Sequence, residues 1–549
     1  MSNSFFSLSS LFSVRVIRHS AGLVVLVSLF VTVFGNYTQW KLVLAWFAES
    51  GSNPLAFLSL VLFQFFLLTA IFSLLTAHKF FRWVLAFVML VTAASSYFAD
   101  SFGTVIDRVM LINAIETNAN EAGDLLTLRF VLYLLGLFLI PTFLLRRIEI
   151  LDQSPRLRLR SHILLGVGSI VALVVLVGTM SSFYVSFFRE HKELRVYSSP
   201  LDVVYATYQL VSTNLMSKQL DFKAIGEDAA IPASDLDREL VIMVVGETAR
   251  SDHFSLNGYS RPTNPLLSKK DVVSFTSVSS CGTSTAISVP CMFSIDEKTN
   301  FDVTRAKYEE NAIDILSRSG VSILWRDNNS SSKGVADRVP YEDFRSPERN
   351  PLCDPECRDV GMLHGLEDFI DSHVEGDILI VLHQMGSHGP AYFERTPRSF
   401  WSFSPICERI QLDQCSSDEI LNSYDNTILY TDYFLNETIE LLDKYDHKFE
   451  TVFMYVGDHG ESLGEKGVYL HGLPYFLAPE AQTKIPLILS FGSQHHDLDI
   501  DRLRRVADQP ISHDYVFHTL LGLFEIKTEI YDHRKDLEEL AERAESTED

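Results

Sequence analysis

Long, nearly unbroken apolar runs separated by short polar joints occupy the first third of the chain, and the pattern stops near residue 185. The runs are Ala21–Tyr37, Pro54–Ala77, Trp83–Tyr97, Leu126–Leu145 and Ile163–Tyr184. Each approaches the roughly 20 apolar residues that a helix needs to cross a bilayer. Five in series exclude a cleaved signal sequence, and the interior of a soluble protein supplies one or two such runs rather than a series. They predict a transmembrane domain of five helices over residues 1–188. Arg15 and Arg18 precede the first run, Lys79 and Arg82 separate the second from the third, and Arg146, Arg147, Arg156, Arg158 and Arg160 crowd the fourth connection. Placing these groups in the cytoplasm puts the N-terminus there, and an odd number of spans carries the rest of the chain across the membrane.

Past the fifth run, the connector over residues 189–229 mixes aromatic, basic and apolar positions. It reads either as a stiff linker or as a segment with an amphipathic helix lying on the membrane face. From residue 230 the period changes. The apolar stretches LVIMVV (240–245), VSILW (321–325), ILIVLH (378–383), TVFMYV (451–456) and IPLILS (485–490) are strand-length and alternate with helical patterns such as NAIDILSRSG. Strands apolar on both faces and separated by helices predict an α/β domain with a mainly parallel sheet over residues 230–549. The charged stretch after about residue 524 reads as an exposed or frayed tail.

Charge sharpens this division. Residues 1–185 hold twelve Lys/Arg against eight Asp/Glu, while the whole chain is at −24, so nearly all the excess acid lies in the second part. No basic footprint for nucleic acid exists. All six cysteines, Cys281, Cys291, Cys353, Cys357, Cys407 and Cys415, fall in the second part. Six cysteines allow fifteen pairings; spacing favours the neighbouring set Cys281–Cys291, Cys353–Cys357 and Cys407–Cys415, and an oxidising compartment.

Ligands of open α/β sheets gather beyond the C-terminal ends of strands. Glu247 follows the first strand, Asp458 and His459 follow TVFMYV, His388 lies in a glycine-bounded loop after ILIVLH, and Asn329, Ser330 and Lys333 follow VSILW; His471 comes downstream. Singly, such residues serve equally as helix-start acids or structural histidines. Together at one sheet edge, Glu247, Asp458 and His459 make a zinc set with a position open for a substrate or nucleophile. The segment TSVSSCGTSTAISVPC (276–291) has the composition of a loop. With a metal nearby, one of its hydroxyls becomes a nucleophile, and a helix starting near Ser284 would offer N–H groups to a phosphate. The alternative is that the hydroxyls merely cap that helix. Spacing leaves Thr283 and Thr285 both open.

At these residues the chain resembles the lipid A phosphoethanolamine transferases of Gram-negative inner membranes, a family that includes the mobile colistin-resistance enzymes. Their catalytic domain is of the alkaline phosphatase/sulfatase type. The motifs carrying the resemblance are VVGETARSDHFSLNGY, SCGTSTAISVPCMFS, VSILWRDNNSSSKGV, LHQMGSHGPAYF and VGDHGESLGEKGVYLHGLP, with NAIETNANEA in the membrane block. The resemblance implies Thr285 as nucleophile and Glu247, Thr285, Asp458 and His459 as ligands of one zinc, with a second near His388 and His471. Asn329, Ser330, Lys333, His388 and His471 would bind the transferred group, and Asn113, Thr117 and Glu121 the ethanolamine end of the lipid. The implied reaction moves phosphoethanolamine from phosphatidylethanolamine to lipid A through a covalent threonine, releases diacylglycerol, and protects against polymyxins. A monomer among inner-membrane lipids is expected, and the family's disulfides favour the same cysteine pairing. Transfer to core heptose, a membrane-anchored metal-dependent hydrolase, and a non-enzymatic envelope scaffold or sensor are the alternatives.

Overall fold

The structure, a computed structural model, describes residues 15–17, 19–50, 54–116, 123, 125, 127–150, 154–217, 220–354, 356–495 and 500–540. Thr117 and Glu121 lie outside the described residues. The chain forms two compact units, residues 1–108 with 125–208, and residues 109–124 with 209–549.

The helices of the first part, in chain order, are Ala21–Phe34 (α1), Tyr37–Ser50 (α2), Pro54–Leu75 (α3), Phe81–Phe102 (α4), Arg108–Glu116 (α5), Leu128–Arg147 (α6), Pro155–Thr179 (α7), Ser181–Glu190 (α8) and Leu201–Ser217 (α9). All but the first residue of α5 belongs to the second unit. Among the described residues four helices, α3, α4, α6 and α7, are long and apolar enough to cross a membrane, and α1 with α2 makes a fifth span only as a pair bent by 58°. The first apolar run is therefore not the single helix to Tyr37 that hydropathy predicts. At the break, Asn36 Nδ2 donates to the Val31 and Ser199 carbonyls, and its Oδ1 accepts from Ser199 N–H. That side chain pairs backbone groups where the helical ladder stops, an event to which an average over apolar residues is blind. Arg156, Arg158 and Arg160, expected in a connection, lie in the first turns of α7. Gly166 lets α7 approach α3, since a Cβ there would sit 2.7 Å from Ser73 Oγ. Within the connector, α9 leaves Val204, Tyr205, Tyr208 and Val211 exposed along one side.

In the second unit the elements that position the site are Glu239–Gly246 (β1), Val273–Ser279 (β2), Thr285–Met292 (α10), Ala312–Ser319 (α11), Ser322–Asp327 (β3), Tyr341–Asp343 (β4), Ile378–His383 (β5), Ser417–Asp443 (α12), Glu450–Gly457 (β6), Lys484–Phe491 (β7), Ile511–Ser512 (β8) and Val516–Gly522 (α13). The strands form one sheet in the order β8-β2-β7-β6-β1-β5-β3-β4. Only β7 runs against its neighbours. Val241, Met243 and Val245 of β1 enter one core with α11 and α13, whereas Leu240, Ile242 and Val244 enter the other, under α12. Two covered faces explain why these strands read as unbroken apolar runs rather than alternating ones. The 27-residue α12 starts at a reciprocal cap in which Ser416 and Glu419 each take the other's backbone N–H.

Two expectations need correction. Thr276–Ser279 of the hydroxyl-rich segment is the end of β2, with Phe275 and Val278 buried, because a weak alternation suffices once neighbours pair. The charged tail is not frayed as far as it is described: Ile526, Leu537 and Leu540 are buried in the core. Its charges mask an apolar spacing that only a receiving surface makes significant.

Candidate active site

The strand registers bring the site together. Gly246 pairs with Gly457, Val245 with His383, and Asp327 with His383. The strands β6 and β1 therefore end level, β5 and β3 end level one residue short of them, and Asp458, Glu247, Gln384 and Asn328, each one residue past its strand, gather at the same edge. Because β2 runs antiparallel to β7, and β7 antiparallel to β6, β2 delivers its following loop to the same edge.

Glu247, Asp458 and His459 are all buried. Their ligand atoms lie within 4.8 Å of one another. His459 Nδ1–H donates to the Gly460 carbonyl at 2.9 Å, so Nε2 carries the lone pair. It points at the acids, 3.5 Å from Glu247 Oε1 and 3.3 Å from Asp458 Oδ2. Those same two carboxylate oxygens have no hydrogen-bond partner. Asp458 Oδ1, by contrast, accepts from the N–H groups of Thr248 and His459. Burial pushes both carboxyls up, Glu247 further by the adjacent Asp458 charge, and holds the His459 imidazole well below its usual range. Two bare oxygens and a lone pair converging in a dry cluster call for a cation, and one nitrogen with carboxylates suits zinc. Among the described residues a second such group is Glu247, His388 and His471, so Glu247 belongs to both.

The backbone is strained to make this arrangement. Thr248 sits at φ +49°, a position that costs a β-branched residue about 1–3 kcal/mol. Its N–H is held by Asp458 and its carbonyl by Tyr424 Oη at 2.6 Å. Gly460 is required sterically, since a Cβ there would lie 2.0 Å from the Ala481 carbonyl oxygen.

The two threonines separate at once. Thr283 Oγ1 donates to the Leu473 carbonyl at 2.6 Å and is used structurally. Thr285 Oγ1 donates to Glu247 Oε2 at 2.9 Å and lies 3.4 Å from His459 Nε2. It is the first residue of α10, after Ser284, whose hydroxyl makes no cap bond. The capping alternative is thus not realised, and the helix starts with free N–H groups beside the hydroxyl.

Around this centre, Asn329 Nδ2 donates to Glu247 Oε2 at 2.7 Å and to the Gln384 carbonyl at 2.9 Å, while its Oδ1 accepts from the Ser330 hydroxyl. Lys333 Nζ donates to Ser330 Oγ at 2.6 Å. The rings of His388 and His471 are 5.3 Å apart, and those of His459 and His471 4.4 Å. His388 Nδ1 has no partner. Asn113 on α5 reaches within 4.0 Å of where a Cβ would stand at Gly472. Ile112 of α5 packs with Ala286, next to Thr285.

The structure joins the cysteines as the neighbouring set, Cys281 to Cys291, Cys353 to Cys357 and Cys407 to Cys415. The first pair spans the loop that carries Thr285. The third serves a scaffold role instead. Cys407 N–H donates to the Ser423 hydroxyl of α12 at 2.8 Å, and Cys415 directly precedes the Ser416 cap. Cys407 and Cys415 therefore brace the start of α12 rather than the loops that bear the reacting groups.

Sequence reasoning missed several buried polar groups here. Glu461 is fully buried and accepts from His471 Nδ1 and Tyr392 Oη, both at 2.7 Å. Although burial opposes the charge, the Glu461 carboxylate raises His471 to about 9. His513 accepts from Cys281 N–H with Nδ1 at 3.1 Å and donates from Nε2 to the Gly457 carbonyl at 2.8 Å, tying the Thr285 loop to the Asp458 strand. The signal for Glu461 was present, an acid two residues past His459 in a segment otherwise buried; His513 had none, being far along the chain from its partner strand end.

A family model described as Sulfatase matches residues 239–526, and one described as Phosphoethanolamine transferase EptA/EptB matches residues 64–215. The chain is 40% identical to the phosphatidylethanolamine transferase Mcr-1 of Escherichia coli, over 92% of this chain and 94% of that protein. It is 38% identical to the phosphoethanolamine transferase EptA of Salmonella typhimurium, over 93% and 95%. Among solved structures, the integral membrane lipooligosaccharide phosphoethanolamine transferase EptA of Neisseria meningitidis superposes with a TM-score of 0.91 at 32% identity, covering 95% of this chain and 99% of that one. The chain therefore belongs to the EptA/Mcr family of phosphoethanolamine transferases, membrane proteins whose catalytic unit has the sulfatase, or alkaline phosphatase, fold.

Proposed function

We propose that this protein transfers phosphoethanolamine from phosphatidylethanolamine to a phosphate group of lipid A, as a monomer in the inner membrane. Its N-terminus is cytoplasmic and its catalytic unit periplasmic. The observation that carries the reading is the Thr285 hydroxyl, donating to Glu247 Oε2 at 2.9 Å beside two bare carboxylate oxygens and the His459 lone pair.

With its proton turned to Glu247, Thr285 Oγ1 has lone pairs available for phosphorus. It attacks the phosphorus of phosphatidylethanolamine, the bond to the glycerol oxygen breaks, and diacylglycerol leaves with a proton from the site, for which His471 is placed. A phosphate oxygen of lipid A then attacks the phosphothreonine, its proton passing to His471, the bond from phosphorus to the Thr285 oxygen breaks, and that oxygen takes back the proton held by Glu247. Lys333, Ser330 and His388 hold the phosphoryl group, Asn329 holds Glu247, and the α10 N-terminus faces the anion. Zinc held by Glu247, Asp458, His459 and Thr285 supplies a Lewis acid for charge developing on oxygen, and a second ion would take Glu247, His388 and His471. Asn113, with Thr117 and Glu121, receives the ethanolamine end of the donor. Adding a cationic group to lipid A lowers its negative charge, weakens attraction of polymyxins and gives colistin resistance.

The test is to incubate the purified full-length protein with phosphatidylethanolamine and lipid A and to follow both products. Expected are diacylglycerol and lipid A heavier by one phosphoethanolamine, both lost in Thr285→Ala. Diacylglycerol with free phosphoethanolamine and unmodified lipid A would mean a hydrolase instead.

A further inference from the structure

We infer that Asp359 is a positioning residue for the transfer reaction, through which the Cys353–Cys357 loop sets the two strand-end loops that carry Asn329 and His388. The inference rests on the function proposed above.

Asp359 is buried, and no cation touches its carboxylate among the hydrogen bonds it makes. Four N–H donors satisfy it instead. Oδ1 accepts from Asn328 Nδ2 and from Met385 N–H, each at 2.8 Å. Oδ2 accepts from Gly386 N–H at 3.0 Å and from Gln384 Nε2 at 3.3 Å. Both oxygens are thus fully used by donors from two loops, the one after β3 and the one after β5. An amide in its place would turn N–H groups against N–H groups on one side.

The geometry then runs on to the reacting cluster. The Gln384 carbonyl accepts from Asn329 Nδ2, which also donates to Glu247. Ser387 N–H donates to the Glu247 carbonyl at 3.1 Å. Between them Gly386 takes φ +51°, and a Cβ there would lie 2.8 Å from the Glu247 carbonyl oxygen. The successive Met385 and Gly386 N–H groups form an anion cradle, and Asp359 fills it from behind. His388 follows two residues later. Asp359 touches none of the reacting atoms; it acts by holding what does.

The disulfide enters through one side chain. Asn328 Nδ2 donates both to Asp359 Oδ1 and to the Cys357 carbonyl at 2.9 Å. Cys357 is two residues before Asp359, and its bond to Cys353 closes a five-residue loop. Closing that loop removes freedom from the segment that presents the carboxylate, so the disulfide fixes Asp359, and Asp359 fixes the register of two site loops. Displacement of reacting groups by about 1 Å costs roughly 100-fold in rate.

The experiment is a kinetic double-mutant cycle on the full-length enzyme with phosphatidylethanolamine and lipid A. Asp359→Asn is expected to lower kcat about 100-fold with KM for phosphatidylethanolamine within about threefold. Asn329→Ala lowers kcat as well, and the double variant falls less than about threefold below the slower single one, because both changes act on the same loop contact. Cys353→Ala with Cys357→Ala lowers kcat in the same direction and is likewise not additive with Asp359→Asn. Asn328→Ala, which removes only the bridge, gives the same split at smaller amplitude and carries the test if Asp359→Asn does not fold. Losses that multiply, an Asp359→Asn kcat within threefold of wild type, or an unchanged kcat without the disulfide would overturn the inference while leaving the transfer reaction standing. A wild-type protein that transfers nothing overturns the proposed function, and this inference with it.

Discussion

Removing one ligand from the acid cluster should abolish zinc binding without harming the fold, and the structure gives the size of the effect. In Asp458→Asn the retained Oδ1 still accepts from Thr248 and His459 N–H, while the amide replaces the carboxylate oxygen that has no partner. The metal-free variant is therefore expected to melt no lower than metal-free wild type, because the oxygen that the amide replaces makes no hydrogen bond in the folded protein. Zinc separates them. At free zinc about 1,000 times its dissociation constant, binding to the folded state alone adds about 4 kcal/mol. Over the roughly 360 residues of the second unit, with an unfolding entropy near 2.1 cal/mol/K per residue, this raises its melting temperature by about 5 °C. Asp458→Asn should shift by less than about 1 °C. Burial raises both Glu247 and Asp458, so the metal-free pair retains protons near neutral pH that the cation must displace. Zinc affinity should thus fall as pH drops through neutrality, and calorimetry in two buffers of different ionisation heat should register proton release. Equal zinc shifts in wild type and variant, or binding with no proton release, would refute the reasoning.

Thr283→Ala should keep diacylglycerol release within about tenfold of wild type while losing about 1 kcal/mol of stability with its bond to Leu473; Thr285→Ala should lose at least about 1,000-fold. Burial lowers His513 to about 4, below an unfolded value near 6.5, so as pH falls the unfolded chain takes the proton first. Its contribution is complete above about pH 6.5 and fades towards pH 4, on the order of 3 kcal/mol in all, and melting curves of His513→Gln should lose that part of the acid sensitivity. Replacing Cys281 and Cys291 by alanine opens a loop of eleven residues and should cost about 2–3 kcal/mol by denaturant titration, with activity falling too because the loop carries Thr285.

The sequence by itself determined the two-part architecture. Apolar runs long enough to span a bilayer and strands apolar on both faces are properties of contiguous residues, so they survive without any knowledge of neighbours. It also determined that Glu247, His388, Asp458 and His459 follow strands and hence gather at one edge. It favoured the cysteine pairing, whose partners are close in sequence, but not that Cys407 and Cys415 would brace a helix start while Cys281 and Cys291 enclose the Thr285 loop. Tertiary structure alone decided the rest. Thr283 and Thr285 are chemically alike and two residues apart, and only the Leu473 carbonyl and Glu247 tell them apart. The bend at Asn36 depends on Ser199, 163 residues away. Asp359 and Glu461 are ordinary acids until burial strips their water and fixed donors replace it. Local pattern encodes where a chain buries its apolar surface; which polar group does what is set by partners brought together from distant strands, and no window along the chain contains them.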